Sequence, residues 1–377
     1  MGQQQDDKYW YVDDAAYALV DDRSGSSNRW RLGFRIDERY RFWLLYSLWR
    51  TARRWRWVSP GAASEPPSKT EAYPSMITHL PKLVVLLGPT ASGKSGLSIT
   101  LAQHFNGEII SADSRQVYRG LDTGTAKVTS AEQALVPHHV LDVADPRDVY
   151  TVAQFQRDAI SAINDILKRS HQPFLVGGSP HYIQAVVDNL DIPHIEPQPA
   201  LRAQLEKRPM PELLQQLEKL DSRSAATIDR NNPRRVIRAL EVCLVSGKPF
   251  SQQRKMSEPL YQSLLLGIEW PREVLYRRID ERVDERMQQG MVQEVQRLLD
   301  EGISHQRLEA LGLEYRYIIR WLTGAFENED EMVQKVKYAI HDFTRRQLTW
   351  FRKEKRIVWV NGGDWAQTED VVRVFLT

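Results

Sequence analysis

A glycine-rich octet, Gly88-Pro89-Thr90-Ala91-Ser92-Gly93-Lys94-Ser95, matches the pattern G-x-x-x-x-G-K-S/T in full. The apolar run Leu83–Leu87 precedes it, and helical spacing follows it from Lys94 to Phe105. A buried strand, a glycine loop and a helix in this order form a P-loop, whose backbone N–H groups bind a polyphosphate. Lys94 would add positive charge, and the Ser95 hydroxyl would ligate Mg²⁺. The octet therefore predicts a diphosphate or nucleotide site, of the kind that ATPases, kinases and other transferases share.

Further short apolar runs predict the other strands of a sheet around this octet. They lie at Glu108–Ile110, Phe174–Val176, Leu264–Ile268 and Arg356–Val360. Segments with helical spacing alternate with them, at Val152–Lys168, Glu212–Leu220, Asn232–Val245, Arg272–Glu301 and Asp330–Lys353. This alternation predicts an α/β fold, a P-loop NTPase-like parallel sheet flanked by helices with a helical insertion domain.

Composition divides the chain into three parts. Residues 1–80 are rich in Trp, Tyr, Arg and Ser and end in a turn-prone stretch at Ser59–Ser68, so we predict a poorly ordered extension and a linker. The Arg/Trp pattern at Trp49–Trp57 is alternatively an arm for nucleic acid or a membrane surface, and Met76 is an alternative start. The strand signal fades over residues 190–262, which predicts a helical insert between core segments 81–189 and 263–377.

Several classes of protein are excluded by composition. The chain has 377 residues, 42% of them hydrophobic and 27% charged, with a formal net charge of +2, which is typical of a globular protein. Cys243 is the one cysteine, so no disulfide framework or cysteine-rich metal site can form. No run approaches the roughly 20 apolar residues that span a bilayer. We expect a cytoplasmic protein without membrane contact.

A polar segment, Ser111–Gln116, follows the predicted strand Glu108–Ile110. Ligands of an open α/β sheet bind at the carboxyl ends of its strands, so Asp113 should lie near the phosphates. Its carboxylate would hold Mg²⁺ or take a proton from an acceptor. Alternatively it caps a helix, a role that is compatible with catalysis.

Two other segments carry side chains that could bind phosphate or metal. In Gly124–Lys127 the lysine either contacts a second phosphate or is a solvated loop residue. The adjacent His138 and His139 suggest a metal site, but neighbouring strand residues point to opposite faces and no third ligand has suitable spacing. We predict a structural role for both histidines.

Basic residues concentrate in two clusters. Arg345–Arg356 carries aromatic residues between its cations, which suits phosphate contact and base stacking, although a solvated helix face has the same pattern. Arg234, Arg235 and Arg238 share one helix face. Together with a P-loop, two such clusters indicate a large anionic acceptor.

Taken in order, these segments resemble the tRNA dimethylallyltransferase (isopentenyltransferase) family from about Leu83 to Val360. The resemblance is carried by Gly88–Ser95, Asp113–Gln116, Gly124–Lys127, Gly177–Ser179 and Arg345–Arg352. It implies transfer of the dimethylallyl group from dimethylallyl diphosphate to the exocyclic amine of the adenosine 3′-adjacent to the anticodon. It implies as partners the tRNA anticodon stem-loop and dimethylallyl diphosphate, with Mg²⁺ as cofactor. We expect a monomer.

The resemblance also assigns residues to roles. Lys94, Ser95 and Asp113 would be catalytic, with Asp113 as general base and Ser95 near Mg²⁺. The diphosphate would bind to Gly88, Pro89, Thr90, Ala91, Ser92, Gly93, Lys94 and Ser95. The tRNA would contact Asp113, Ser114, Arg115, Gln116, Ser179, Arg202, Arg234, Arg235, Arg238, Arg345, Arg346, Gln347 and Arg352. The insert would clamp the anticodon stem-loop.

The sequence differs from the family pattern at two places, and two other functions are compatible with the P-loop. Ser179-Pro180-His181 replaces the usual Thr-Gly-Leu of the family, so a hydroxyl is kept and a backbone donor is lost. Leu311–Arg316 stands where many members have a shorter Gly-Tyr motif, and we assign it to tRNA contact. A P-loop kinase of a small metabolite would use the same octet, and a non-catalytic RNA-binding protein would carry it as a relic.

Overall fold

The computed structural model describes residues 10–12, 15–19, 32–33, 80–193, 195–253 and 255–377. In the first part, strands β1 (Trp10–Val12), β2 (Ala15–Leu19) and β3 (Leu32–Gly33) form an antiparallel sheet in the order β1-β2-β3. These three strands were not predicted from the sequence. The extension at 1–80 stays a prediction, since the linker, the Arg/Trp segment and Met76 lie outside the described residues.

A six-stranded parallel sheet forms the centre of the second part. Its order is β11-β10-β4-β7-β5-β6. The strands are β4 (Lys82–Leu87), β5 (Gly107–Ser111), β6 (His138–His139), β7 (Gln172–Gly177), β10 (Gln262–Glu269) and β11 (Ile357–Asn361). Leu83–Leu87 are fully buried, because helices cover both faces of the sheet. The predicted fold class is confirmed.

Helices flank this sheet on both sides. The first four are α1 (Lys94–His104), α2 (Ser130–Leu135), α3 (Val152–Lys168) and α4 (Pro180–Val187). The last six are α9 (Arg272–Gln288), α10 (Met291–Asp300), α11 (His305–Leu311), α12 (Leu313–Leu322), α13 (Glu329–Phe351) and α14 (Trp365–Leu376). The single helix predicted over Arg272–Glu301 is wrong. Gly290, at φ 91°, takes a left-handed conformation and separates α9 from α10.

Four α-helices and a short 3₁₀ helix (Phe250–Gln252) lie between two short strands in the segment predicted as an insert. Strands β8 (Leu190–Asp191) and β9 (Lys255–Met256) pair antiparallel. The helices are α5 (Pro199–Glu206), α6 (Met210–Leu220), α7 (Ser222–Thr227) and α8 (Pro233–Ser246). They enclose a hydrophobic cluster of their own that includes Leu213, Leu217 and Leu240. Prolines that interrupt the strand pattern, such as Pro199 and Pro233, occupy first helical turns, where a missing N–H costs nothing.

The parallel strands bring three polar loops to one edge of the sheet. Leu86 of β4 pairs with Val176 of β7, which in turn pairs with Ser111 of β5. The P-loop, the Asp113 segment and the Gly178 segment therefore leave the sheet side by side. Among the described residues, no helix is long and apolar enough to cross a membrane.

Candidate active site

The P-loop turns sharply between β4 and α1. Gly93, at φ 91°, is the left-handed residue that caps the amino terminus of α1. A side chain there would be strained, and the free N–H groups of the first helical turn point toward the loop. This geometry is that of an anion site at a helix amino terminus, as the octet predicts.

Side chains from distant segments hold the P-loop in place. The Trp270 indole Nε1 donates to the Ser92 carbonyl at 2.9 Å, and the Arg278 Nε donates to the Ala91 carbonyl at 2.9 Å. The Arg278 guanidinium also lies 4.9 Å from the Trp270 ring. Gln347 accepts from the Thr90 N–H at 3.1 Å and donates to the Gly178 carbonyl at 2.7 Å. Gln347 thus joins the P-loop to the segment that follows β7.

Lys94 is a half-buried amine at the floor of the site. Its Nζ donates to the Pro89 carbonyl at 2.6 Å. Burial lowers the pKa of Lys94 to about 7; the charge of Arg282 acts in the same direction, and Asp113 opposes it. An incoming diphosphate would restore the charged form, because opposite charge favours protonation of an amine.

Helix α9 adds arginines to this floor that the sequence analysis missed. Burial lowers the pKa of Arg282 to about 10, with the charge of Arg286 adding to the effect and Glu314 and Asp113 opposing it. Arg286 Nη1 donates to the Gly124 carbonyl at 3.0 Å and to Glu314 Oε1 at 3.1 Å. The signal was present in the four-residue spacing of Arg278, Arg282 and Arg286, which places them on one helix face.

Asp113 caps the turn that follows β5 and also faces the cavity. Its Oδ1 accepts from the Arg115 N–H at 2.8 Å and from the Gln116 N–H at 3.4 Å. The hydroxyl of Ser179 accepts from the Ser114 N–H at 3.0 Å. Capping and a half-buried carboxylate that lines the cavity therefore coexist at Asp113. Pro180 lies at the first turn of α4, so the donor that it lacks has no intrahelical partner to lose.

Lys127 is neither a solvated loop residue nor a residue of the cavity lining. Its side chain is 3% exposed and pairs with Asp122 at 2.7 Å and Asp142 at 2.5 Å. The histidines have structural contacts: His138 Nδ1 lies 2.8 Å from the Val136 carbonyl, and His139 Nε2 lies 2.6 Å from Glu108 Oε2. The predictions of a second phosphate contact and of a solvated loop lysine are thus both wrong, because ion pairs with two aspartates hold the Lys127 side chain inside the protein.

These segments enclose a cavity of about 440 Å³. Its floor carries Lys94, Ser95 and Thr90, and one wall carries Asp113 and Ser179. Loop 124–126, helix α9, the start of α12 and helix α13 also contribute to the lining, with Gly124, Thr125, Ala126, Arg282, Arg286, Glu314, Tyr315, Phe343 and Arg346. Such an arrangement can bind a polyanion at one end and present a carboxylate to a second reactant.

Comparison with known proteins assigns the family. The family model for IPP transferase matches residues 116–354. A tRNA dimethylallyltransferase of Thermomicrobium roseum is 46% identical over 281 residues, which cover 74% of this chain and 85% of the relative. The chain belongs to the IPP transferase family.

Solved structures agree with this membership. A tRNA isopentenylpyrophosphate transferase from Bacillus halodurans is 36% identical, with a TM-score of 0.58 over 78% of this chain and 95% of its own. A eukaryotic dimethylallyltransferase acting on tRNA is 27% identical, with a TM-score of 0.65 over 76% of this chain and 75% of its own. The resemblance to this family is confirmed.

In this IPP transferase, only some of the residues expected to contact tRNA meet at the cavity. They are Asp113, Ser114, Arg115, Gln116, Ser179, Arg234, Arg346 and Gln347. Arg202 and Arg238 lie elsewhere and bind the buried Glu241, at 2.7 Å and 2.5 Å. Arg345 pairs with Asp342, and Arg235 and Arg352 are exposed outside the lining.

The donor set of the IPP transferase cavity fits Mg²⁺ held partly by substrate. No group of three or more His, Cys, Asp or Glu side chains that could hold a metal occurs in the described part of the chain. The Ser95 hydroxyl and the Asp113 carboxylate both line the cavity and are hard oxygen donors. Mg²⁺ commonly binds through one or two such groups plus phosphate oxygens and water, which suits this set.

Proposed function

We propose that this chain transfers the dimethylallyl group of dimethylallyl diphosphate to the exocyclic amine of the adenosine 3′-adjacent to the tRNA anticodon. The observation that carries the proposal is one cavity that is lined by Lys94 of the P-loop, by Arg282 of α9 and by Asp113. The relatives named tRNA dimethylallyltransferase support the same reaction. The diphosphate would lie on the P-loop, and the base would enter from the side of Arg234 and Arg346.

The first requirement of this reaction is a stabilised leaving group. The bond between the allylic carbon and the diphosphate oxygen breaks, and its electron pair leaves with the diphosphate. Backbone N–H groups of the P-loop, Lys94 and Arg282 aim positive charge at that group in a buried site, where electrostatic stabilisation is strongest. Mg²⁺, held by Ser95 and the diphosphate, would neutralise further negative charge when bound.

The second requirement is a base for the attacking amine. A carbon–nitrogen bond forms between the allylic carbon and the exocyclic nitrogen, which becomes acidic and loses a proton. Asp113 is the carboxylate that would accept this proton. Its described hydrogen bonds from the backbone use Oδ1, so Oδ2 can accept the proton while the turn stays intact.

The third requirement is access for a base that is stacked in an anticodon loop. Enzymes that modify such a base extrude it from its stack into a pocket. Phe343, which is 40% exposed, and Arg346, whose guanidinium lies 5.9 Å from the Phe343 ring, offer an aromatic and cationic surface at the cavity. We propose that the flipped adenosine passes this surface and that helices α5–α8 hold the stem-loop, with the enzyme acting as a cytoplasmic monomer.

A direct experiment tests the transfer. Purified protein is incubated with labelled dimethylallyl diphosphate, Mg²⁺ and unmodified tRNA, and label in tRNA is measured beside ATP consumption without tRNA. Mg²⁺-dependent label in the adenosine 3′-adjacent to the anticodon supports the proposal. ATP turnover without tRNA and without label would instead favour the small-metabolite kinase, which the relatives do not support. Binding of tRNA without any transfer would favour the non-catalytic RNA-binding protein.

A further inference from the structure

Glu294 of α10 is a buried carboxylate that accepts four hydrogen bonds. Its side chain lies beneath the loop Asp122–Gly124, and the residue is 8% exposed. Oε2 accepts from the Asp122 N–H at 3.0 Å and the Thr123 N–H at 2.7 Å. Oε1 accepts from the Gly124 N–H at 3.1 Å and the Tyr315 hydroxyl at 2.6 Å. Three consecutive backbone N–H groups of the loop thus donate to a single side chain, which helix α10 supplies.

The loop held by Glu294 forms part of the cavity wall. Gly124, Thr125 and Ala126 all line the cavity. A Cβ atom on Gly124 would lie 2.5 Å from the Tyr315 hydroxyl, so the loop is packed as closely on Tyr315 as its backbone allows. The position of this wall therefore depends on Glu294 and Tyr315.

The same loop is tied to the turn that carries Asp113. The Gln116 amide Nε2 donates to the Ala126 carbonyl at 3.2 Å and to the Thr125 carbonyl at 3.4 Å. Gln116 Oε1 accepts from the Ser111 hydroxyl at 3.0 Å, and the Gln116 backbone N–H donates to Asp113. A shift of the loop would therefore move Gln116, and with it the turn that orients the Asp113 carboxylate.

We propose that Glu294 is a positioning residue for the reaction, which fixes loop 122–126 and through Gln116 sets the orientation of Asp113. This inference rests on the proposed function. Glu294 does not touch the reacting atoms; it acts on the carboxylate that does. Three of its partners are backbone N–H groups, which can only donate, so the loop needs acceptor oxygens at both terminal positions of this side chain.

This demand makes Glu294→Gln a sharp variant. A glutamine of equal size keeps one oxygen for two donors but turns an NH₂ group toward the other two. Tyr315 can rotate its hydroxyl, and burial beside Glu294 raises the pKa of Tyr315 well above its ordinary value, so it stays a neutral phenol. A backbone N–H cannot invert, so a donor–donor clash displaces the loop.

The experiment is a double-mutant cycle on kcat for dimethylallyl transfer, with Glu294→Gln, Asp113→Asn and the double variant. Asparagine keeps the Oδ1 acceptor of the turn and removes the base. Glu294→Gln should lower kcat by about 10²-fold, as expected for a misplaced reacting group, with the KM for dimethylallyl diphosphate changed less than about twofold. In the Asp113→Asn background it should cost less than about twofold, because residues that act as a unit are non-additive. Tyr315→Phe, which removes one of four bonds, should cost about fivefold.

Asp300→Asn is the matched control, an exposed carboxylate at the end of the same helix, and should retain wild-type kcat. Amide hydrogen exchange gives a readout independent of activity: Glu294→Gln should speed exchange at residues 122–124 and also at 115–116. An unchanged kcat, a full additive loss in the Asp113→Asn background, or unchanged exchange at 115–116 would overturn the positioning role. Absence of transfer by the wild type would instead refute the proposed function, and the exchange data would then decide on Glu294 alone.

Discussion

Two buried carboxylates, one in the catalytic core and one among helices α5–α8, are held by different kinds of donor. Glu294 is bound mainly by backbone N–H groups of a cavity loop. Glu241 is fully buried and bound by Arg202, Arg238 and the Gln198 N–H. The core therefore leaves its cations, Lys94 and Arg282, facing a cavity, whereas the helical segment uses two of its arginines internally. Pairing with the buried Glu241 thus removes Arg202 and Arg238 from the basic residues that are free to bind a ligand.

The largest expected effect tests the core side of this comparison. Asp113→Asn should lower the rate of transfer by about 10²–10⁴-fold, the usual contribution of a general base. Affinity for tRNA should change far less, since the capping acceptor of the turn remains. Single-turnover transfer and equilibrium tRNA binding measure the two quantities. Asp148→Ala, an exposed aspartate outside the cavity lining, is the control; a rate unaffected by Asp113→Asn would remove Asp113 from the chemistry.

The next effect concerns Lys94 and pH. Because the Lys94 pKa is lowered to about 7 in the free protein, the ammonium loses its proton as pH rises above 7. A diphosphate prefers the charged form, so pyrophosphate affinity should fall, approaching about tenfold per pH unit between pH 7 and 9. Calorimetric titration over that range measures the decline.

Lys94→Arg is the matched variant for this prediction, because a guanidinium stays protonated across the range. The ratio of the two affinities also cancels the ionisation of pyrophosphate itself. A ratio that does not change with pH would mean that Lys94 keeps its proton throughout.

Changes to Glu241 in helices α5–α8 should lower the stability of the protein more than its rate of transfer. Burial raises the pKa of Glu241, but hydrogen bonds from Arg202, Gln198 and Arg238 outweigh it and leave the pKa below its ordinary value. Glu241→Gln should therefore lower the free energy of unfolding by about 2 kcal/mol. Urea unfolding at pH 7 measures this loss, with the exposed Glu218→Gln as control.

The sign of the pH dependence follows from the same contacts. A carboxyl whose pKa is depressed on folding contributes stability above its unfolded pKa and loses it as pH falls through the folded value. The difference between wild type and Glu241→Gln should hence shrink below about pH 4.5, the ordinary value of a glutamate. An equal difference at pH 7 and pH 3.5 would contradict the ionised state of Glu241.

The smallest effect separates free from internal arginines. Arg346 lines the cavity and is exposed, so Arg346→Ala should weaken tRNA binding and reduce the slope of log K against log salt by about 1. Arg202→Ala should leave that slope unchanged and lower stability instead, because its guanidinium faces Glu241. Binding isotherms of the two variants at several salt concentrations give the two slopes. Equal changes of slope would contradict the division into arginines that contact tRNA and arginines that bind Glu241.

The elements that could be predicted from the sequence are those that depend only on residues close to them in the chain. The strand before the octet, the glycine turn and the position of Asp113 follow from apolar runs and turn residues within a few positions. The break at Gly290 was missed, because a helical pattern tolerates a glycine and only the tertiary fold decides whether it takes a left-handed φ.

The rest of the site depends on side chains that meet across the fold. Arg286 and Glu294 lie on helices outside the recognised motifs, and several of their partners are backbone groups of loop 122–124, which leave no trace in composition. Arg202 was assigned to tRNA through a family pattern, and its bond to Glu241 could not be anticipated without knowing that Glu241 is buried. Pairings of this kind come from packing, which periodicity does not encode.

The braces on the P-loop have a consequence for synthesis. Trp270, Arg278 and Gln347 hold Ser92, Ala91 and Thr90, and Gln347 follows Thr90 by 257 positions. Chains emerge from the ribosome amino terminus first. A nascent chain therefore carries the whole phosphate-binding signature, complete at Ser95, with none of the three braces until Trp270 has been added. A premature stop before α13 leaves the octet without its link to Gly178.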